Sequence, residues 1–195
     1  MMRSGGTVYA LAQTDDPAQR EAHDFYPTHP GATRALLTVE QFDGPIWEPA
    51  CGAGDMSRVL EGAGYDVIST DLIDRGYGEG GRDFLMEWSA RAPNIVTNPP
   101  FRWAIEFTDR ALMLTTGKVA LFLRLAFLEG VERGKWFKQV PLARVWVMSR
   151  RVPMQRGKLQ EEGDGHGVIA FAWFVFEHGH EGQPTLGFLD WKAAA

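Results

Sequence analysis

The chain has 195 residues, enough for one domain with a sizeable core. Hydrophobic residues make up 45% and charged residues 23%, a globular rather than disordered composition, and the net charge of −5 gives no overall signature of a nucleic-acid binder. One cysteine, Cys51, excludes an intrachain disulfide; with no apolar run near the ~20 residues that span a bilayer and no secretory pattern at the start, a cytoplasmic protein is expected.

Residues 1–22 are polar, rich in Gly, Asp and Gln, and without periodicity, so a disordered tail is expected there and a single domain over 23–195. Ala32, Ala35, Leu36 and Val39 predict a helix over 31–39. A short buried strand follows at 45–49, then a turn at 52–54. A helix over 55–63 has Met56, Val59 and Leu60 inward and Gly62 and Gly64 as its stop. Strands follow at 65–70 and 94–97, a helix at 103–114, then strands at 119–123, 145–149 and 168–176. Strands alternating with helices imply an α/β fold, a mostly parallel sheet with helices on both faces. The last two strands are joined by a polar, glycine-bearing connection over 150–167, which predicts one antiparallel strand near the sheet edge. In such a sheet ligands bind beyond the carboxyl ends of the strands.

Three strand ends carry the chemistry. In Glu48-Pro49-Ala50-Cys51-Gly52-Ala53-Gly54, glycines between a strand and a helix let the backbone come close to a ligand, and the helix start offers free N–H groups. Asp71 closes the next strand, where an acidic side chain accepts hydrogen bonds from ribose hydroxyls in nucleotide-like sites. Asn98-Pro99-Pro100-Phe101 follows the strand at 94–97. The prolines stiffen this loop. A rigid asparagine carbonyl and a backbone carbonyl can accept both hydrogens of a planar amine, and an aromatic beside them can stack on a flat ring.

Asn-Pro-Pro-Phe after a strand, with Glu-Pro-Ala-Cys-Gly-x-Gly upstream, resembles the amino methyltransferases of the class I S-adenosylmethionine fold, and most of all small phage and prophage DNA adenine-N6 methyltransferases. RNA guanine and protein glutamine methyltransferases share the tetrapeptide. The resemblance spans roughly 25–189. It implies a Rossmann-like, mostly parallel seven-stranded sheet with one antiparallel strand, S-adenosylmethionine as cofactor, and methylation of adenine N6 in DNA. Protecting phage DNA from restriction is the role it implies. In Phe25-Tyr26-Pro27-Thr28, Tyr26 and Thr28 would meet the cofactor, Thr28 at its methionine end. Glu48, Ala50, Gly52 and Gly54 would line its methionine and ribose side. Asp71 would hold the ribose hydroxyls, Asp83 the adenine amine, and Phe84 the adenine ring. Asn98 and Pro99, stiffened by Pro100, would hold the target amine, with Phe101 stacked on the target base. Met154 stands where the family's second aromatic would lie.

Between Lys118 and Lys158 ten basic residues face two acidic ones, Glu129 and Glu132; this stretch carries +8 and leaves −13 for the rest. That asymmetry points to a face that meets an anion, with Arg150, Arg151, Arg156 and Lys158 as phosphate ligands. Trp136 and Phe137 sit inside the stretch as candidates for nucleic-acid contact. Phe171, Trp173, Phe174 and Phe176 read as strand core, and Cys51 as a small buried residue. His178 and His180 have no cysteine cluster near them, so no metal is expected. The chain is mostly catalytic fold, so no separate target-recognition domain and little sequence specificity are expected. Methylation of RNA or of a protein glutamine, and a non-catalytic nucleic-acid-binding module of the same fold, are the alternatives.

Overall fold

A computed structural model describes residues 25–154 and 169–194. The expected tail at 1–22, most of the connection at 150–167, and with it Arg156 and Lys158, lie outside the described residues.

Seven strands form one sheet: β1 (Ile46–Glu48), β2 (Val67–Ser69), β3 (Asn94–Thr97), β4 (Lys118–Arg124), β5 (Leu142–Met148), β6 (Phe171–Glu177) and β7 (Thr185–Leu189). Their order is β2-β1-β3-β4-β6-β5-β7. Neighbours are parallel except at β6, which runs antiparallel to both β4 and β5. The expected antiparallel strand is therefore present, but third from the edge. The difference comes from β7, which pairs in parallel with the far side of β5 and which the sequence pattern did not reveal.

Among the described residues, four α-helices cover the sheet: α1 (Pro30–Leu37), α2 (Asp55–Gly62), α3 (Ala104–Leu114) and α4 (Val131–Trp136). Alternation along the strands sends residues to two cores. Ala120 and Phe122 of β4 and Trp173 and Val175 of β6 join Ala32 and Leu36 of α1 and Met56 and Leu60 of α2 on one face. Leu121 and Leu123 of β4 and Phe174 and Phe176 of β6 join Phe107 and Ala111 of α3 on the other. Every residue of β6 from Phe171 to Phe176 is buried, as expected for a central strand packed on both faces. Trp136 and Phe137 belong to this second core. Trp136 donates to Asp109 at 2.9 Å, and both rings pack on Phe127.

At the amino ends of the strands, buried Glu40 receives Lys118 at 2.9 Å, Arg144 and Trp146. Arg144 also reaches Glu177 at 2.6 Å. This clamp ties the segment after α1 to β4, β5 and β6. It lies at the opposite end of the sheet from Asp71 and Asn98, which follow the carboxyl ends of β2 and β3.

Candidate active site

The carboxyl ends of β1, β2 and β3 open into a cleft lined by Tyr26, Thr28, Glu48, Ala50, Gly52, Asp71, Asp83, Phe84, Asn98 and Pro100, among others. Ten of the thirteen residues assigned from sequence to cofactor or target therefore share one cavity. Gly54 does not line it, and neither do Pro99 and Phe101.

One part of the cleft is built around Asp71, the residue expected to hold the ribose hydroxyls. One carboxylate oxygen accepts the Gly52 N–H and the other the Ile73 N–H, each at 2.8 Å. The Cys51 N–H donates to the Thr70 carbonyl, so the turn after β1 is stitched to the end of β2. An ionised carboxylate has about four acceptor positions; two remain after these bonds. Gly52 and Gly54 have φ of 57° and 85°, the left-handed region that favours glycine. A Cβ on Gly52 would lie 2.3 Å from the Phe25 ring, and one on Gly54 would lie 2.5 Å from the Tyr77 ring. The sequence assigned both glycines to close approach of a ligand. The structure adds a second reason, since aromatic rings pack directly on their Cα atoms.

Glu48 is buried and hydrogen-bonded to the Ser57 hydroxyl. Burial pushes its carboxyl well above the usual range, the Ser57 bonds oppose this, and the charges of Asp55 and Asp71 add to it. Burial, helped by Glu48 and Asp71, pushes the Cys51 thiol up to about 12, which agrees with a packing role and not a nucleophile. Asp83 is exposed at the cleft wall and accepts the Leu85 N–H at 3.0 Å. Phe84 beside it is buried against Trp47 and Phe107. Sequence reasoning missed Arg75, Arg82, Arg102 and Trp103, which also line the cleft. They sit in loops and turns without periodicity, where no spacing announces them.

At Asn98, the expected acceptor of the target amine, the side-chain NH₂ donates to the Tyr26 carbonyl and to the Thr28 hydroxyl, each at 3.0 Å. A carbonyl can only accept, so Tyr26 fixes which way the amide points. The other end, Asn98 Oδ1, is buried and has no hydrogen-bond partner. The Pro99 carbonyl likewise accepts no hydrogen bond among the described residues. Thr28 was assigned to the cofactor; it lines the cleft and also orients Asn98. The Phe101 ring is half-buried, with Tyr26 nearly parallel to it at 5.9 Å, Phe171 at 5.8 Å and the Arg124 guanidinium over it at 4.7 Å. Met154 packs against the same core as Phe101.

The basic stretch divides. Lys118 and Arg144 are spent in the Glu40 clamp, Lys135 pairs with Glu132, and Arg133 donates to the carbonyls of Glu129 and Ala126. Arg150 and Arg151 follow β5 at the same end as the cleft. Arg150 is forked onto Asp190 at 3.1–3.3 Å, while Arg151 is exposed and its carbonyl accepts from Trp191. Among the described residues, no group of three or more His, Cys, Asp or Glu is placed to hold a metal, and no helix is long and apolar enough to cross a membrane.

No protein-family model matches the sequence, and no curated protein is similar to it. Solved structures are similar. A methyltransferase subunit of the type I restriction-modification system from Streptococcus thermophilus superposes with a TM-score of 0.54 at 11% identity, over 79% of this chain and 45% of that one. A predicted O-methyltransferase from Agrobacterium tumefaciens gives 0.51 at 11% identity, over 82% and 84%. Magnesium protoporphyrin IX methyltransferase from Synechocystis PCC 6803, solved with S-adenosylmethionine bound, gives 0.50 at 12% identity, over 74% and 76%. The chain has the Rossmann-like methyltransferase fold. It spans less than half of the restriction-modification subunit.

Proposed function

We propose that this chain transfers a methyl group from S-adenosylmethionine to the exocyclic N6 amine of adenine in DNA, with little sequence specificity, and that residues 23–195 form one catalytic domain. The observation that carries the reading is the Asn98 carbonyl oxygen, buried, unpaired and oriented by Tyr26 and Thr28. Leaving a buried acceptor unmet costs about 1–3 kcal/mol, a cost repaid when a ligand donates to it.

The cleft fits the cofactor. Asp71 keeps two acceptor positions toward the ribose, Asp83 stands exposed where an adenine amine can donate, and Phe84 offers an apolar wall. Glu48, Ala50 and Gly52 would line the methionine side. When bound, the cofactor supplies an electrophilic methyl on a sulfonium. The chain's own contribution is positioning and electrostatics. Asn98 Oδ1 and the Pro99 carbonyl each accept one hydrogen of the target amine. This favours a pyramidal nitrogen with its lone pair directed at the methyl. A duplex base has to leave the stack first, at a cost of a few kcal/mol; stacking on Phe101 offsets part of it.

Basic residues at the cleft end favour nucleic acid over a protein glutamine. Arg151 is exposed there to meet a phosphate, whereas Arg150 has to exchange Asp190 for one. Incubation with methyl-labelled cofactor and DNA, RNA or protein, followed by nucleoside and amino-acid analysis, tests the reading. Label in N6-methyladenine from DNA is expected. Label only in RNA or in glutamine would replace the substrate, and label in none would leave a binding module.

A further inference from the structure

Several basic residues of the stretch between Lys118 and Lys158 are matched within the fold, whereas Arg124 of that stretch and Arg102 outside it are not. Lys118, Lys135, Arg144 and Arg150 are matched by carboxylates, and Arg133 by backbone carbonyls. Arg102 and Arg124 differ. Both are exposed, and neither side chain makes an ion pair or hydrogen bond among the described residues. Each lies over an aromatic ring of the segment that follows Asn98: Arg124 is 4.7 Å from the centre of Phe101, and Arg102 is 5.5 Å from the centre of Trp103.

An arginine laid over a ring is held without consuming its N–H groups, which remain at the rim of the guanidinium to grip a phosphate in bidentate fashion. Arg124 ends β4, the strand next to β3, whose end carries Asn98. Arg102 lies in the short 3₁₀ turn Phe101–Trp103. Arg124 thus lies over the ring of Phe101, and Arg102 is the next residue in the chain, over Trp103.

We propose that Arg102 and Arg124 form the phosphate clamp for the target nucleotide, one cation for each phosphodiester flanking the base. The inference rests on the nucleic-acid reading above and names the residues that hold the strand.

Binding of a duplex DNA oligonucleotide, measured from low to moderate salt, tests the clamp. The double variant Arg102→Gln, Arg124→Gln should show a log–log salt slope shallower by about two units, one for each lost phosphate contact. Lys135→Gln on α4 should keep the wild-type slope. Unchanged S-adenosylmethionine affinity by calorimetry in the double variant should accompany the shallower slope and show that the fold is intact. A wild-type slope in the double variant overturns the clamp, as does a loss of cofactor affinity, which would put Arg102 on the cofactor. Methyl transfer by the wild type keeps the two questions apart. A wild type that methylates DNA beside a double variant of unchanged slope removes only the clamp. A shallower slope in a protein that transfers no methyl supports the clamp and removes the reaction.

Discussion

Thr28 presents the sharpest residue-level question, because its hydroxyl both faces the cleft and orients Asn98. Thr28→Val keeps the shape and removes the acceptor, so the amide is held by the Tyr26 carbonyl alone. We expect kcat to fall by about tenfold, equivalent to one neutral hydrogen bond, while cofactor affinity changes less. Thr28→Ser should restore the rate. An equal loss in both quantities, with no rescue by serine, would move Thr28 to the cofactor. Asp71→Asn keeps an acceptor but removes the charge, and should weaken cofactor binding by roughly 1–3 kcal/mol; unchanged affinity by calorimetry would refute its assignment to the ribose. The types and positions of these residues were legible in sequence. The partners were not: nothing in the spacing says that Phe25 seats on Gly52 or that Thr28 receives Asn98, because those contacts join segments far apart in the chain.

At the scale of elements, the Glu40 clamp joins the segment after α1 to three strands. Burial alone would raise the Glu40 carboxyl; the hydrogen bonds from Arg144, Lys118 and Trp146 outweigh it, and the net shift is downward. A carboxylate held below its unfolded value contributes stability that is present above the ordinary carboxylate range and lost as pH falls through its folded value. Glu40→Ala should therefore cost about 3 kcal/mol near neutrality, toward the low end for a broken buried pair because its partners are partly exposed. The gap to wild type should close in acid. Urea unfolding at about pH 7 and about pH 3 checks this; a gap independent of pH would mean that packing, not charge, holds the clamp. Strands β1 to β6 and helices α1 to α3 were readable from periodicity and turn residues. Strand β7 was not, because Thr185–Leu189 is short, mostly exposed and interrupted by Gly187. That glycine has a tertiary cause: a Cβ there would lie 2.2 Å from the Trp146 ring. Helix α4 has six residues and no buried one, so its sequence carries no periodic signal either.

For the molecule as a whole, the charge asymmetry along the sequence proved a partial guide. Four of the ten cations in the stretch are ion-paired, among them Lys118 and Arg144 with Glu40, and the exposed cations at the cleft end include Arg102, which lies outside the +8 stretch. Sequence-specific interfaces on DNA usually bury ~1,000–2,500 Å² of protein surface, and phosphate contacts carry no sequence information directly. With the described residues given over to the sheet and its covering helices, methylation should fall on many adenines with little context. Single-molecule sequencing of DNA modified in vitro tests this; modification confined to one motif of four or more bases would show that a loop or a partner reads sequence. The central claim is narrower, that the unpaired Asn98 carbonyl holds an adenine amine for methyl transfer. The direct measurement is mass spectrometry of nucleosides from DNA incubated with methyl-labelled cofactor and either wild type or Asn98→Ala. The account predicts labelled N6-methyladenine with the wild type, and a loss of about 10²–10³-fold with the variant, the range seen when one preorganised hydrogen-bonding group is removed from an active site, at unchanged cofactor affinity. Turnover by Asn98→Ala within threefold of wild type would contradict it.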